Sequence, residues 1–387
     1  MKKLLVLSLA AFFVLASCAT TEESVLLKEP VENKAAVVVE DKAASAAGTA
    51  AGSVAPGIVA EEVSAPDSEA VAPVIKEYAF TEEEVTVNPN GELPLGGSLI
   101  IPEGGSPVAV VIFVHGSGLS DRNETINSNT PFKDIAYGLA KKNIASLRYD
   151  KRYFYDPESA PSMSVLGARE EALDDVASAI DLVESDDRLG TNIFVLGHSL
   201  GGYFTPAIGK EHRELSGLIS LAGPYRPLYE VMFDQSMESF RTIDRSQLDE
   251  RSNQILDMQY EWIMNDIEVL RNNLAETPDE QPLFGVPAHY FKTLAEYSPS
   301  KCIAFAKMPI FIGQGQSDFQ VYDDVEIPLW QDALKGRNNV EFHLYPGLNH
   351  LFMQTQGKRD ISEYDVRGDV NEGVIADIAA FITKYSK

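Results

Sequence analysis

"VLGHSLGGYF", Val195 to Phe204, sets a serine between two glycines directly behind a run of aliphatic residues. A strand that feeds a helix through so sharp a turn needs small neighbours, so that the backbone can fold tightly and a reactant can approach Ser199. The G-x-S-x-G pattern alone arises by chance in unrelated chains. What decides its meaning is the context: a strand before, a helix after, and a base, an acid and an oxyanion site elsewhere. The flanks meet the first condition, with "NIFVLG" reading as a buried strand and "GGYFTPAIGKEH" as a helix.

The same alternation extends in both directions. Upstream, "YAFTEEEVTVNPNGELPLGGSLIIPEGG" from Tyr78 alternates apolar and polar residues around a turn, which predicts an antiparallel strand pair. "VAVVIFVHG" (Val108 to Gly116) is the continuous apolar run of a strand buried on both faces. A helix near Pro131 to Lys142, the strand "IASLRYD" and the helix "REEALDDVASAIDLVES" follow. Downstream of the serine turn come the strand "LSGLISLAG", then "MPIFIGQG", a helix around Val325 to Lys335, the strand "VEFHLYPG" and a last helix "NEGVIADIAAFITKY". Strand and helix in repetition indicate an α/β fold with a mostly parallel sheet covered on both faces. Between them, residues 225–302 are rich in Met, Gln, Asp, Arg and aromatics, with helical periodicity and no strand signal. They predict a helical cap inserted over the carboxyl ends of the strands, with Met232, Phe233, Phe240, Met258, Tyr260, Trp262 and Met264 divided between lining an acyl site and packing the cap.

The N-terminal region has a different character. "MKKLLVLSLAAFFVLASC" has two lysines, an apolar stretch and small residues before Cys18, the organisation of an export signal over residues 1–18. "LASC" resembles the lipobox of bacterial lipoproteins, which implies lipid on Cys18 and attachment to the cell envelope, at the outer membrane where one exists. Residues 19–75 are dominated by Ala, Val, Glu, Ser and Pro and predict a disordered tether. The remainder, residues 76–387, is long enough for one domain with its insertion. With 32 basic and 58 acidic residues the net charge is −26, which repels phosphate backbones and excludes nucleic acid as a natural partner. Lipidation of Cys18 would leave Cys302 as the sole thiol, too few for a disulfide or a thiolate metal cage. Oligomeric state leaves no trace in the sequence.

A serine hydroxyl is a poor nucleophile until a base takes its proton. Of six histidines, His115 and His198 sit in glycine turns, His343 lies mid-strand, His212 ends a polar helix and His289 is in the insertion. His350, in "PGLNHLF", follows the last predicted strand and so reaches the same sheet edge as Ser199. The orienting carboxylate is expected after another strand. Asp318 in "MPIFIGQGQSDFQV" fits, while its rivals Asp323 and Asp324 are expected to begin the next helix. One oxyanion donor is then the N–H of Leu200.

The order Ser199, Asp318, His350 is the order used by α/β-hydrolases, and residues 78–387 resemble that superfamily. "HGSGLSDRNE" (His115 to Glu124) and "LRYDKR" (Leu147 to Arg152) are similar to stretches of its bacterial serine carboxylesterases, in the dienelactone-hydrolase-like and acyl-CoA-thioesterase-related branch. In that branch RYDKR is followed by glycine; here Tyr153 and Phe154 follow. The resemblance implies an α/β-hydrolase fold and hydrolysis of small-molecule carboxylic esters through an acyl-enzyme, with no metal or organic cofactor. It also implies a second oxyanion donor in the His115-Gly116 turn, Ser117 with Gly118 as a near competitor. Asp121, Arg122, Asp150 and Arg152 are expected to form an ion-pair network nearby. The same constellation serves thioesterases, acyltransferases and serine peptidases, and a lipoprotein that only binds ligands is the non-enzymatic alternative.

Overall fold

The computed structural model describes residues 78–88, 91, 93–155 and 166–387, with the side chains of Tyr153 and Tyr155 left aside. The export signal, Cys18 and the tether lie outside the described residues. Strands β1 (Phe80–Val87) and β2 (Leu95–Pro102) form the expected antiparallel pair. Then come β3 (Ala109–Val114), helix α1 (Pro131–Ala140), β4 (Ile144–Tyr149), α2 (Asp174–Glu184), β5 (Ile193–His198), α3 (Leu200–Glu211) and β6 (Gly217–Leu221). The segment that follows holds α4 (Leu228–Thr242), α5 (Glu250–Asn272), a hairpin of β7 (Pro282–Leu283) and β8 (Val286–Pro287), and α6 (Ala288–Glu296). The chain closes with β9 (Ile310–Gly315), α7 (Asp323–Ala333), β10 (Val340–Tyr345) and α8 (Glu372–Tyr385).

Eight strands make one sheet in the order β1-β2-β4-β3-β5-β6-β9-β10, parallel from β4 onward. The crossover between β4 and β3 followed by outward growth is the α/β-hydrolase architecture, and the chain adopts it as expected. Alternation along the strands explains the two-sided core. In β3, Val110, Ile112 and Val114 pack with Val176, Ile180 and Phe204 on one face. Val111 and Phe113 pack with Phe132, Ile378 and Phe381 on the other.

Helix α3 carries Pro206 in its interior, which removes the amide that would bond the Gly202 carbonyl. That carbonyl is satisfied instead by the hydroxyls of Thr205 at 2.9 Å and of Ser220, on β6, at 3.1 Å. The buried proline thus becomes a tie between the helix behind Ser199 and the neighbouring strand. At the outer edge, β1 exposes three successive glutamates, each held by an arginine: Glu82 by Arg148, Glu83 by Arg188 at 3.0 Å and Glu84 by Arg122 at 2.7 Å.

Three details depart from the sequence reading. The segment over 225–302 includes the β7-β8 hairpin, whose two-residue strands are too short to show alternation; Phe284 and Gly285 at its tip both have positive φ, as a tight hairpin turn requires. Met258, Tyr260, Trp262 and Met264 on α5 are exposed, with the Tyr260 ring edge-on to Phe240 of α4, whereas Met232 is buried. The expected ion network divides in two. Arg122 pairs with Asp150 at 2.8 Å and with Glu84, while Arg152 turns to Asp175 at 2.6 Å. Asp121 takes part in neither pair and accepts the N–H groups of Asn123 and Thr125.

Candidate active site

Ser199 lies between β5 and α3 with φ 53° and ψ −117°, a strained conformation for a residue with a side chain. Its N–H is held by the Leu221 carbonyl at 2.9 Å. The flanking glycines are needed for contact as well as for flexibility. A methyl group on Gly197 would lie 2.2 Å from the Gly201 carbonyl oxygen, and one on Gly201 would lie 2.1 Å from that of Val114. The turn closes only because neither position has a side chain.

His350 sits in the tight loop after β10, buried, with its Nδ1 2.7 Å from Oδ2 of Asp318. Its loop is built by Asn349, whose Oδ1 accepts the N–H groups of Leu351 and Met353. Asp318 is itself fixed. Its Oδ2 also accepts from the Gln314 amide at 2.9 Å, and its Oδ1 from the N–H groups of Gln320 and Val321 at 2.7 and 3.0 Å. A carboxylate with both oxygens so occupied cannot swing away. The proton it draws to Nδ1 leaves Nε2 of His350 as the basic nitrogen. The rivals Asp323 and Asp324 begin α7, as expected.

β5, β9 and β10 are parallel members of the one sheet, so Ser199, Asp318 and His350 all follow strand ends on the same edge. A direct bond reinforces this: Nε2 of His198 donates to the His350 carbonyl at 2.9 Å. Leu200 opens α3, so its N–H belongs to the first turn, which lacks intrahelical acceptors and attracts negative charge. The loop after β3 is close by, since a methyl on Gly116 would meet Ser199 Cβ at 3.2 Å.

Glu124 escaped the sequence reading. It is buried with φ 52°, and its Oε1 accepts the Gly116 N–H at 2.7 Å. Its Oε2 lies 2.9 Å from Nδ1 of His198, an ion-pair contact off the line of a good hydrogen bond. Burial disfavours both charges, but each outweighs that penalty for the other. The Glu124 carboxylate holds His198 above the usual histidine range, and the imidazolium holds Glu124 below the usual carboxylate range. Glu124 thus engages the Gly116 N–H within the protein. The available signal was the close spacing of Glu124 to the glycine turn in "HGSGLSDRNE", read only as a family stretch. His115 has the opposite environment. Burial pushes its pKa down to about 4 between Tyr149 and Phe132.

A family model described as serine aminopeptidase, S33 matches residues 105–356, a span that contains Ser199, Asp318, His350 and Glu124. The chain belongs to this family of serine hydrolases. It is 35% identical over 307 residues to esterase EstD of Thermotoga maritima, covering 79% of this chain and 68% of that protein. Among solved structures, Est1E from Butyrivibrio proteoclasticus is 17% identical, with 78% of this chain and 98% of that chain covered and a TM-score of 0.48. The esterase domain of a Rhodothermus marinus protein is 17% identical over 79% and 100% of the two chains, with a TM-score of 0.47. Among the described residues no group of three or more His, Cys, Asp or Glu side chains is placed to hold a metal ion.

Proposed function

We propose that the protein is a serine carboxylesterase that cleaves small-molecule carboxylic esters through an acyl-enzyme. The observation that carries this reading is the buried 2.7 Å pair of His350 and Asp318 on the sheet edge where Ser199 is held in its strained turn. Nε2 of His350 takes the Ser199 proton as Oγ attacks the ester carbonyl carbon, and Asp318 stabilises the imidazolium so formed. The N–H groups of Leu200 and Ser117 receive the charge of the tetrahedral intermediate. Collapse breaks the bond to the alkoxide, which leaves with the proton from His350. Water then repeats the sequence on the acyl-enzyme, releasing the acid and restoring Ser199.

The relationship to esterase EstD favours an ester, and the family description favours an amide as the second reading. Residues 78–387 labelled with a fluorophosphonate, beside Ser199→Ala, test the nucleophile. p-Nitrophenyl esters, acyl-CoAs and aminoacyl amides offered in parallel test the substrate class. The expected result is labelling lost in the variant and esters turned over fastest. Labelling that persists in Ser199→Ala overturns the nucleophile, and amides turned over faster than esters overturn the substrate class.

Export and lipid attachment at Cys18 belong to the same proposal, supported by the signal-like residues 1–18 and "LASC". Incorporation of labelled fatty acid into the full chain, lost in Cys18→Ser, is the expected outcome. Equal incorporation in both refutes it.

A further inference from the structure

Lys151, the residue after the "LRYD" strand end, has no role in the chemistry described so far. It follows β4, the parallel neighbour of β3, and so stands beside the loop that runs from β3 past Ser199. Its ammonium is buried and makes three hydrogen bonds: to the Gly116 carbonyl at 2.9 Å, the Gly118 carbonyl at 3.0 Å and Oε1 of Glu171 at 2.6 Å. Its backbone N–H bonds the Ser120 carbonyl at 3.0 Å. An ammonium has three protons, and all three are used within the protein. It therefore has none left for a substrate and no lone pair with which to act as a base.

What it does instead follows from peptide geometry. In a planar trans peptide the carbonyl and the next N–H point in opposite directions. Drawing the Gly116 carbonyl to Lys151 turns the Ser117 N–H the other way, and drawing the Gly118 carbonyl does the same for Leu119. On the far side of Gly116, Glu124 holds its N–H. Each ammonium bond also polarises the peptide it touches, which strengthens the opposite N–H as a donor. Glu171 is brought inward by a π-helical turn, Arg169–Leu173, that precedes α2, an irregularity often found where a side chain is aimed for function.

We propose that Lys151 is a positioning residue for acyl transfer: it sets the peptide planes of the 116–119 loop so that the Ser117 N–H meets the oxyanion, and Glu171 holds its charge in place. This rests on the esterase reading above. The test compares Lys151→Met, the charge-free pair Lys151→Met/Glu171→Met, and Arg152→Met, which removes the adjacent Arg152–Asp175 pair. Each is assayed for kcat and KM on a p-nitrophenyl ester and for affinity to a trifluoromethyl ketone, whose serine adduct carries the oxyanion. A misplaced donor lowers kcat by about 10- to 100-fold and ketone affinity by a similar factor while KM stays near wild type. Arg152→Met loses thermal stability but keeps kcat and ketone affinity. Wild-type kcat and ketone affinity in either folded Lys151 variant overturns the proposal. So does failure of the double variant to fold, which would make Lys151 a folding residue. Ser199→Ala separates the two claims: turnover retained there sinks the esterase mechanism, whereas turnover lost there but kept in Lys151→Met sinks only the role of Lys151.

Discussion

Nε2 of His198 donates a 2.9 Å hydrogen bond to the main-chain carbonyl of His350, so the residue before the candidate nucleophile steadies the loop that carries the candidate base. Through its other nitrogen the same imidazole faces Glu124, which in turn holds Gly116. One buried ion pair therefore links three separate loops.

Removing that imidazole strands the Glu124 carboxylate. His198→Ala is expected to lose about 3–5 kcal/mol of stability at pH 7 in urea unfolding, and His198→Ala/Glu124→Gln to regain part of it. The signs fix the pH window. His198 is raised, so its contribution is complete below 6.5 and fades as pH rises through its folded value; Glu124 is lowered, so its contribution is complete above 4.5 and fades as pH falls through its own. The difference between wild type and variant should therefore shrink toward both extremes.

Asp318 and Asp323 differ in role although five residues separate them. Asp318→Asn should lower kcat by on the order of 10⁴ with little change in KM, because an amide cannot hold the proton on Nδ1 of His350. Asp323→Asn, which alters only the start of α7 and a contact to Gln316, should leave kcat near wild type. Equal losses in steady-state assays of the two would remove Asp318 from the mechanism.

His115 should make the protein acid-sensitive. Its pKa is pushed from 6.5 down to about 4 chiefly by burial and by nearby Lys151, against the opposing pull of Glu124, Asp121 and Asp150. Between those values the unfolded chain binds the extra proton, so stability falls as pH falls, by roughly 3 kcal/mol across the window. His115→Gln should flatten the urea-unfolding free energy between pH 6.5 and 4 by up to about 1.4 kcal/mol per pH unit. An unchanged slope in that variant would contradict the assignment.

Gly201 and Gly190 should respond differently to alanine. At Gly201 the added methyl meets backbone at 2.1 Å, so Gly201→Ala should cost several kcal/mol and abolish fluorophosphonate labelling. Gly190 has open space and φ 73°, so Gly190→Ala should cost about 1–2 kcal/mol and label normally.

The sheet and the site residues were legible for different reasons. Runs such as "AVVIFV" are buried on both faces, and so they declare strands without ambiguity. The candidates Ser199, Asp318 and His350 could be chosen from the sequence because a parallel sheet gathers every strand end at one edge, and the structure pairs the last two of them. Glu124 and Lys151 could not, because their positions depend on a non-glycine residue with positive φ and on an ammonium reaching across to a neighbouring loop, neither of which leaves a periodic trace. The exposure of Met258 and Trp262 on α5 could not be read, because apolar side chains at helical spacing give the same pattern whether they pack or face solvent.

The three glutamates of β1 stand on the outermost strand of the sheet, each already held by an arginine of its own molecule. A second molecule approaching that border in register would bring a like row of acids against the first, and its main chain would have to displace those pairs before any ladder could form. Among the described residues this border therefore resists a further strand through the ion pairs that strand would have to break, and added salt, which weakens such pairs, is the condition under which molecules of this protein would first adhere along their margins.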